Sequence, residues 1–283
     1  RSQGRARFHN QAGRKPSPHS LHGWQAWLVL GVCVLPLLGG FILPALWLLQ
    51  LALSETETLF DQRYLGFAWN SVMLASMASL LTLGVALLLG YAARRSPSRW
   101  LHGLKRFAVM GYAVPGTVLA VGVLIPLTVL DHALIAWAQN LFGATPGLLL
   151  TGGMFALLFA YLVRFLAVAV HAVDSSLQRI RPSLDDAAQG MGLTRGQVLQ
   201  RVHLPLLRGG MLSAVLLVFV EVMKELPATI VLRPFNLDTL ATQVFVLAAD
   251  ERLAEAAVPS LMIVAVGLLP VLILMRVMQR GRV

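Results

Sequence analysis

Three ionisable side chains in an otherwise apolar stretch, Glu221, Lys224 and Glu225, are the residues of this sequence best placed to do chemistry. Their spacing, i to i+3 and i to i+4, predicts that they share one helical face. At membrane depth each charge costs roughly 2.5–3.5 kcal/mol even on insertion scales, so that face must turn toward a bundle interior, a water-filled path or the other charges. It then either lines a path through the membrane, locks two helices together, or closes an ion pair within its own helix against a neighbour. Pro227, just beyond, removes a backbone hydrogen bond and predicts a kink beside the charges. A second break is predicted at Tyr112-Ala113-Val114-Pro115-Gly116-Thr117, where Pro115 interrupts small residues suited to close helix contact, as a packing kink or a path wall. Arg164 is read as snorkelling from the inner end of its span, without a role.

Other chemistries lack their residues. The lysines are Lys15, Lys105 and Lys224, none in a Gly-x4-Gly-Lys-Ser/Thr phosphate loop, so no Walker-type nucleotide site is expected on this chain. The seven histidines are scattered, with no pair at metal-ligand spacing inside an apolar run, and neither a metal nor another cofactor is expected. No Ser/His/Asp or Cys/His grouping can be assembled from spacing. Cys33 stands alone in an apolar run, where a buried, inert thiol is expected.

The elements that must position these residues follow from composition. Of 283 residues, 57% are hydrophobic and 13% charged, against about 25% charged in ordinary soluble domains. Mean hydropathy is +0.72. Six spans are predicted, at 24–53, 70–93, 107–130, 147–170, 209–232 and 256–275, giving an all-α polytopic membrane protein. The first is expected to kink at Pro36 and Pro44. A basic leader at 1–23, a short acidic loop at 54–69, an outer connection at 131–145 with amphipathic turns, and a tail at 276–283 complete the plan, the core running from 66 to 275.

Orientation follows from Lys and Arg counts. The leader, the loop after the second span and the loop after the fourth hold five each and the tail three, 18 of the 23 in all. The alternate loops hold only Arg63, Arg233 and Arg252, so both ends are expected in the cytoplasm. The net charge of +10 is thereby accounted for without nucleic acid.

The longest polar interruption lies in a loop at 174–209. Pro182 suits a first helical turn, Ser183 and Asp186 resemble a capping box, and Leu184, Ala187, Ala188 and Met191 make an apolar stripe. Gly192 is the expected stop, Thr194 and Gln197 a second box, and Pro205 the end of the second helix. Asp186-Ala187-Ala188, three residues, Gly192, nine residues, Val202, one residue, Leu204-Pro205 resembles the Glu-Ala-Ala loop of binding-protein-dependent ABC importer permeases, with Asp for Glu and Val for Ile. Lys224-Glu225-Leu226-Pro227-Ala228-Thr229, Leu232-Arg233-Pro234-Phe235 and Asp250 to Ala257 are similar to the ferric-iron branch, and Gly4 to His9 to the linker entering the second module of a fused permease.

The resemblance implies a type I importer permease, most like the C-terminal half of such a fusion, in the bacterial inner membrane. Its implied partners are two ATPase subunits carrying ATP and Mg, a periplasmic binding protein, and a second six-span module, fused or a second copy, in membrane lipid. Ferric iron is the implied cargo; polyamine, thiamine and sulfate permeases share the loop. It implies further that Leu184, Ala187, Ala188 and Met191 fill a groove on the ATPase, with Asp185 and Asp186 at its rim. From another class, an ATP-independent transporter or channel needs no such loop.

Overall fold

The structure is a computed structural model that describes residues 23–54, 62–96, 98–143 and 147–280. The leader up to residue 22, the acidic part of the loop at 55–61 and the last three residues lie outside the described residues. Helix dominates, and no strand occurs among the described residues. Among the described residues six helices are long and apolar enough to cross a bilayer. Two units are distinguished, residues 1–47 and 48–283.

In the first unit, the helix α1, Trp24–Ser54, begins. It carries Pro36 and widens into a π turn at Leu38–Ile42, so the expected kink region is a π insertion. No side chain from Trp24 to Trp47 is buried within the structure, and Trp27, Val32 and Leu35 are among the exposed. A helix apolar on all sides requires apolar surroundings.

The second unit holds the end of α1 and the other elements. These are α2 (Gln62–Arg95), α3 (Arg99–Ala108) with a 3-10 turn at Val109–Ala113, α4 (Gly116–Phe142) and α5 (Met154–Leu177). Next come α6 (Pro182–Gly190) and α7, which opens at Arg195–Val198, passes a π turn at Leu199–His203 and continues over Leu204–Met223. Last are α8 (Pro227–Leu232), α9 (Leu240–Ala249) and α10 (Leu253–Arg280).

α5 is the central span, with 56% of its apolar window buried against 28–39% for the other spans of this unit. Alanines make that possible. Ala75, Ala78, Ala120, Ala156, Ala160 and Ala214 are wholly buried, so backbones approach closely while Leu157, Tyr161 and Phe165 fill the remaining space. Between helices in lipid, such close packing drives association because apolar burial no longer discriminates.

Several boundaries differ from the sequence reading. α4 runs through to Phe142, so most of the expected outer connection is membrane helix. Asp131 permits this: wholly buried, its carboxylate accepts the backbone N–H groups of Leu149, Leu150 and Thr151 at 2.8–3.0 Å and the Thr151 hydroxyl at 2.7 Å. The fourth span accordingly starts at Met154, not Gly147, and ends at Leu177. Part of the expected outer loop after the fifth span is α9, opened by a capping box between Thr239 and Thr242. It is tied to α2 by Leu240 N–H donating to Ser71 Oγ at 2.9 Å.

Candidate functional site

The loop at 174–209 is built around α6. Arg181 is extended and Pro182 takes the first helical position, where its missing N–H is harmless. Ser183 therefore lies inside the first turn, and the expected Ser183–Asp186 box does not form. The helix closes on Gly192 at φ +83°, with Gly192 N–H donating to Gln189 O at 2.9 Å and Leu193 N–H to Ala188 O at 3.2 Å. That pair of bonds is a Schellman motif. Of the second expected box one half is present, Thr194 N–H donating to Gln197 Oε1 at 2.8 Å.

α6 shows two sides. Leu184 (45% exposed), Ala187 and Met191 (76%) face outward with Asp186. Ala188 is buried, and Asp185 turns inward with it, three residues apart. Asp185 Oδ2 accepts from Arg94 Nε at 3.2 Å and Nη2 at 3.1 Å, and Oδ1 from His203 Nε2 at 2.5 Å. Arg94 also donates to Leu177 O at 2.6 Å and Ile180 O at 2.9 Å, at the last residue of α5 and just beyond it. His203 is buried under the Tyr91 ring, 5.5 Å between centroids. One carboxylate thus clamps α6 to the ends of α2, α5 and α7. Burial alone raises the Asp185 pKa, but the bonds from His203 and Arg94 outweigh it and hold the group below the usual carboxylate range. Asp185 and Ala188 therefore leave the outward surface that the sequence reading gave them, because a 100° step per residue carries them to the packed side.

Pro205 does not end a helix. It sits in the first turn of Leu204–Met223, directly after the π turn, whose wider ring makes room for the pyrrolidine and for one missing donor. Val202 and Leu204 are half-buried in this base and Pro205 is exposed; all three belong to the foot of α7 rather than to the outward face of α6.

A polar junction lies deeper. Arg164 is the eleventh of the 24 residues of α5, close to the middle of a helix about 36 Å long. It does not snorkel. Its Nε lies 3.3 Å from Glu225 Oε2, its Nη1 donates to Val114 O at 3.3 Å, and Glu225 is 6% exposed. Both predicted breaks meet here. One is at Val114–Pro115, before α4; the other at Lys224–Leu226, before α8, where Ala228 N–H donates to Glu225 Oε1 at 3.0 Å. Thr229 Oγ1 donates to Glu225 O at 2.6 Å and accepts from Tyr161 OH at 2.6 Å. A Cβ on Gly116 would stand 2.7 Å from Arg164 Nη1 and 3.0 Å from Glu225 Oε1 and Pro227 Cβ, so a side chain there would displace the pair that α4 starts against.

The three acid and base groups of the fifth span do not share a face, because the helix ends at Met223. Lys224 pairs outward with Glu221 at 2.9 Å, while Glu225 turns into the bundle. Pro227 opens α8, and Tyr112 is half-exposed in the 3-10 turn. Arg94, Asp131, Arg164 and His203 were not legible as site residues. Their signal is a charged or ring-nitrogen side chain where an apolar or helix-ending pattern needs none. Among the described residues no three His, Cys, Asp or Glu side chains come together as a metal site.

Residues 83–282 match a family described as "Binding-protein-dependent transport system inner membrane component". The chain is 28% identical over 228 residues to the Fe(3+)-transport system permease protein FbpB 2 of Haemophilus influenzae, covering 81% of this chain but 42% of that relative. The chain therefore spans less than half the length of this ferric relative. It is 26% identical over 215 residues to the trehalose transport system permease protein SugB of Mycobacterium tuberculosis, covering 71% of the chain and 72% of SugB. A putative 2-aminoethylphosphonate transport system permease protein, PhnV of Salmonella typhimurium, is also 26% identical over 215 residues, 76% of the chain and 77% of PhnV. The crystal structure of a bacterial alginate ABC transporter, in complex with an alginate pentasaccharide-bound periplasmic protein, contains a chain of the same fold. Its TM-score is 0.70 at 16% identity, over 89% of this chain and 92% of that one.

Proposed function

Because the chain belongs to the binding-protein-dependent transport system inner membrane component family, we propose that it is the half of a ferric-iron importer that hands ATP-driven work to the membrane through α6. It is a multi-pass inner-membrane permease of an ABC importer; such permeases are not themselves enzymes, and hydrolysis lies in partner subunits. In the proposed assembly two ATPase subunits carry ATP and Mg, and this chain binds no cofactor. A periplasmic binding protein delivers the cargo, and a second six-span module, fused or a second copy, completes the path. Both ends of the chain face the cytoplasm, consistent with the lysine and arginine counts.

The observation that carries the coupling role is the clamp at Asp185. It fixes α6 to the ends of three helices by charge-assisted bonds while leaving Leu184, Ala187 and Met191 outward. A rigid mount with a small apolar knob is what a force-bearing contact requires. A push on α6 reaches α2, α5 and α7 together, and α5 carries Arg164 at the junction of the two broken helices. The Arg164–Glu225 pair is proposed as the closed state of the path, in place of a lock shared by Glu221, Lys224 and Glu225 on one face.

The ferric reading is supported by the ferric relatives from Haemophilus influenzae and Actinobacillus pleuropneumoniae. The trehalose and 2-aminoethylphosphonate relatives name the competing cargoes. Purification of the whole assembly with its binding protein, followed by reconstitution with each cargo, tests both parts. ATP-dependent uptake of ferric iron is expected. Uptake of a sugar or phosphonate instead overturns the cargo, and uptake without ATP overturns the class.

A further inference from the structure

α3 has no task in the coupling or the path, yet it is the most sharply two-sided helix of the chain. Three constraints fix its roll. Lys105 pairs with Asp174 near the end of α5, and Leu101 and Ala108 are half-buried on the same side. On the next side, Trp100 (78% exposed), Leu104 and Phe107 (73% exposed) stand outward, within about 60° of one another at 3.6 residues per turn. The adjoining arc holds Arg99, Gly103 and Arg106, again within about 60°. Among the described residues neither Arg99 nor Arg106 meets an acid, and Gly103 leaves the space between them free of side chain, with nothing within 4 Å of an added Cβ. Arg95, at the end of α2, lies over the Tyr91 ring and donates to its hydroxyl at 3.1 Å.

Cations bordering an exposed Trp-Leu-Phe arc, next to the charged end of a spanning helix, are the pattern of a helix seated in a bilayer surface. The apolar arc enters the acyl boundary and the arginines stand at headgroup level. We propose that the Arg99–Gly103–Arg106 face of α3 is a binding site for the phosphate of anionic phospholipid headgroups, held in register by Trp100 and Phe107. The recognition is charge complementarity: two guanidinium groups about two helical turns apart on one face, with a bare backbone between them, accept a phosphodiester that a zwitterionic lipid presents less favourably. The site would anchor the segment leading into the break at Val114–Pro115 to the membrane surface. Nothing in the inference depends on the cargo or on the docking of α6.

The full chain, purified with the subunits that accompany it, is placed in nanodiscs of equal phosphatidylglycerol and phosphatidylcholine. The lipids retained are then counted by native mass spectrometry. The intact protein is expected to retain phosphatidylglycerol preferentially. Arg99→Gln with Arg106→Gln should lower that ratio by about fivefold per arginine. Arg99→Lys with Arg106→Lys should keep most of it, and Arg179→Gln with Arg208→Gln, which removes equal charge elsewhere, should leave it unchanged. Trp100→Ser should reduce retention of both lipids together. An unchanged ratio in the double glutamine variant, or an equal fall in the Arg179/Arg208 control, overturns the proposal. Loss of an accompanying subunit with lipid retention intact would assign the face to protein instead.

Discussion

Asp185 and Arg164 show how a single charge can decide what a helix does in this chain. Each sits where an apolar residue would have satisfied the helix pattern, and each is held by partners from other elements. For Asp185 the lowered pKa gives the sign of its contribution: stabilisation is present above the ordinary value of 3.8 and is lost as pH falls through the lower folded value. Asp185→Asn is therefore expected to destabilise the purified permease by about 1.5–3 kcal/mol at neutral pH. In thermal melts, the share of that difference owed to the carboxylate should fade only in acid below about pH 4. The Arg164–Glu225 pair behaves differently because it is deeper. Arg164→Met or Glu225→Leu alone strands a charge and should cost about 3–5 kcal/mol, while the two together should recover most of that stability. Transport by the double variant is the sharper reading. If the pair is the closed state of the path, a stable double variant leaks cargo without ATP; a stable double variant that stays tight makes the pair structural only.

The elements divide by what their signals depend on. Hydropathy runs located six spans, and Gly192 marked the end of α6, because both depend on local chemistry. The limits of α4 and α5 were not legible: Asp131 reads as the start of a polar connection until Leu149, Leu150 and Thr151 are seen to satisfy it, and those donors are 18 to 20 residues away. Pro205 misled for the opposite reason, since a π turn ending two residues earlier absorbed its effect. In the candidate loop the outward residues Leu184, Ala187 and Met191 were readable as a stripe, whereas the clamp needed Arg94, 91 residues from Asp185. A prediction belongs at this scale. Gly192 lies at φ +83° with open space around it, so strain rather than crowding should govern its substitutions. Gly192→Val should strain the α6 terminus by about 1–2 kcal/mol or more and uncouple hydrolysis from uptake, while Gly192→Asn should be tolerated. Equal coupling in both variants, measured as cargo moved per ATP, would contradict the role of that turn.

For the whole molecule, α6 is proposed as the foot of a membrane body whose central span, α5, joins that foot to a polar junction near mid-depth. The proposed orientation, argued from the basic charge gathered in alternate loops, has the foot in the cytoplasm. Placement and contact can be read together from one residue of the outward stripe, Met191, which is 76% exposed. Met191→Cys, made in a chain whose Cys33 is replaced by serine, should resist a membrane-impermeant maleimide in intact spheroplasts, react once the membrane is opened, and cross-link to an ATPase subunit in the assembled transporter. Labelling from the outside of sealed spheroplasts, or the absence of any cross-link in an assembly that hydrolyses ATP, would contradict the account.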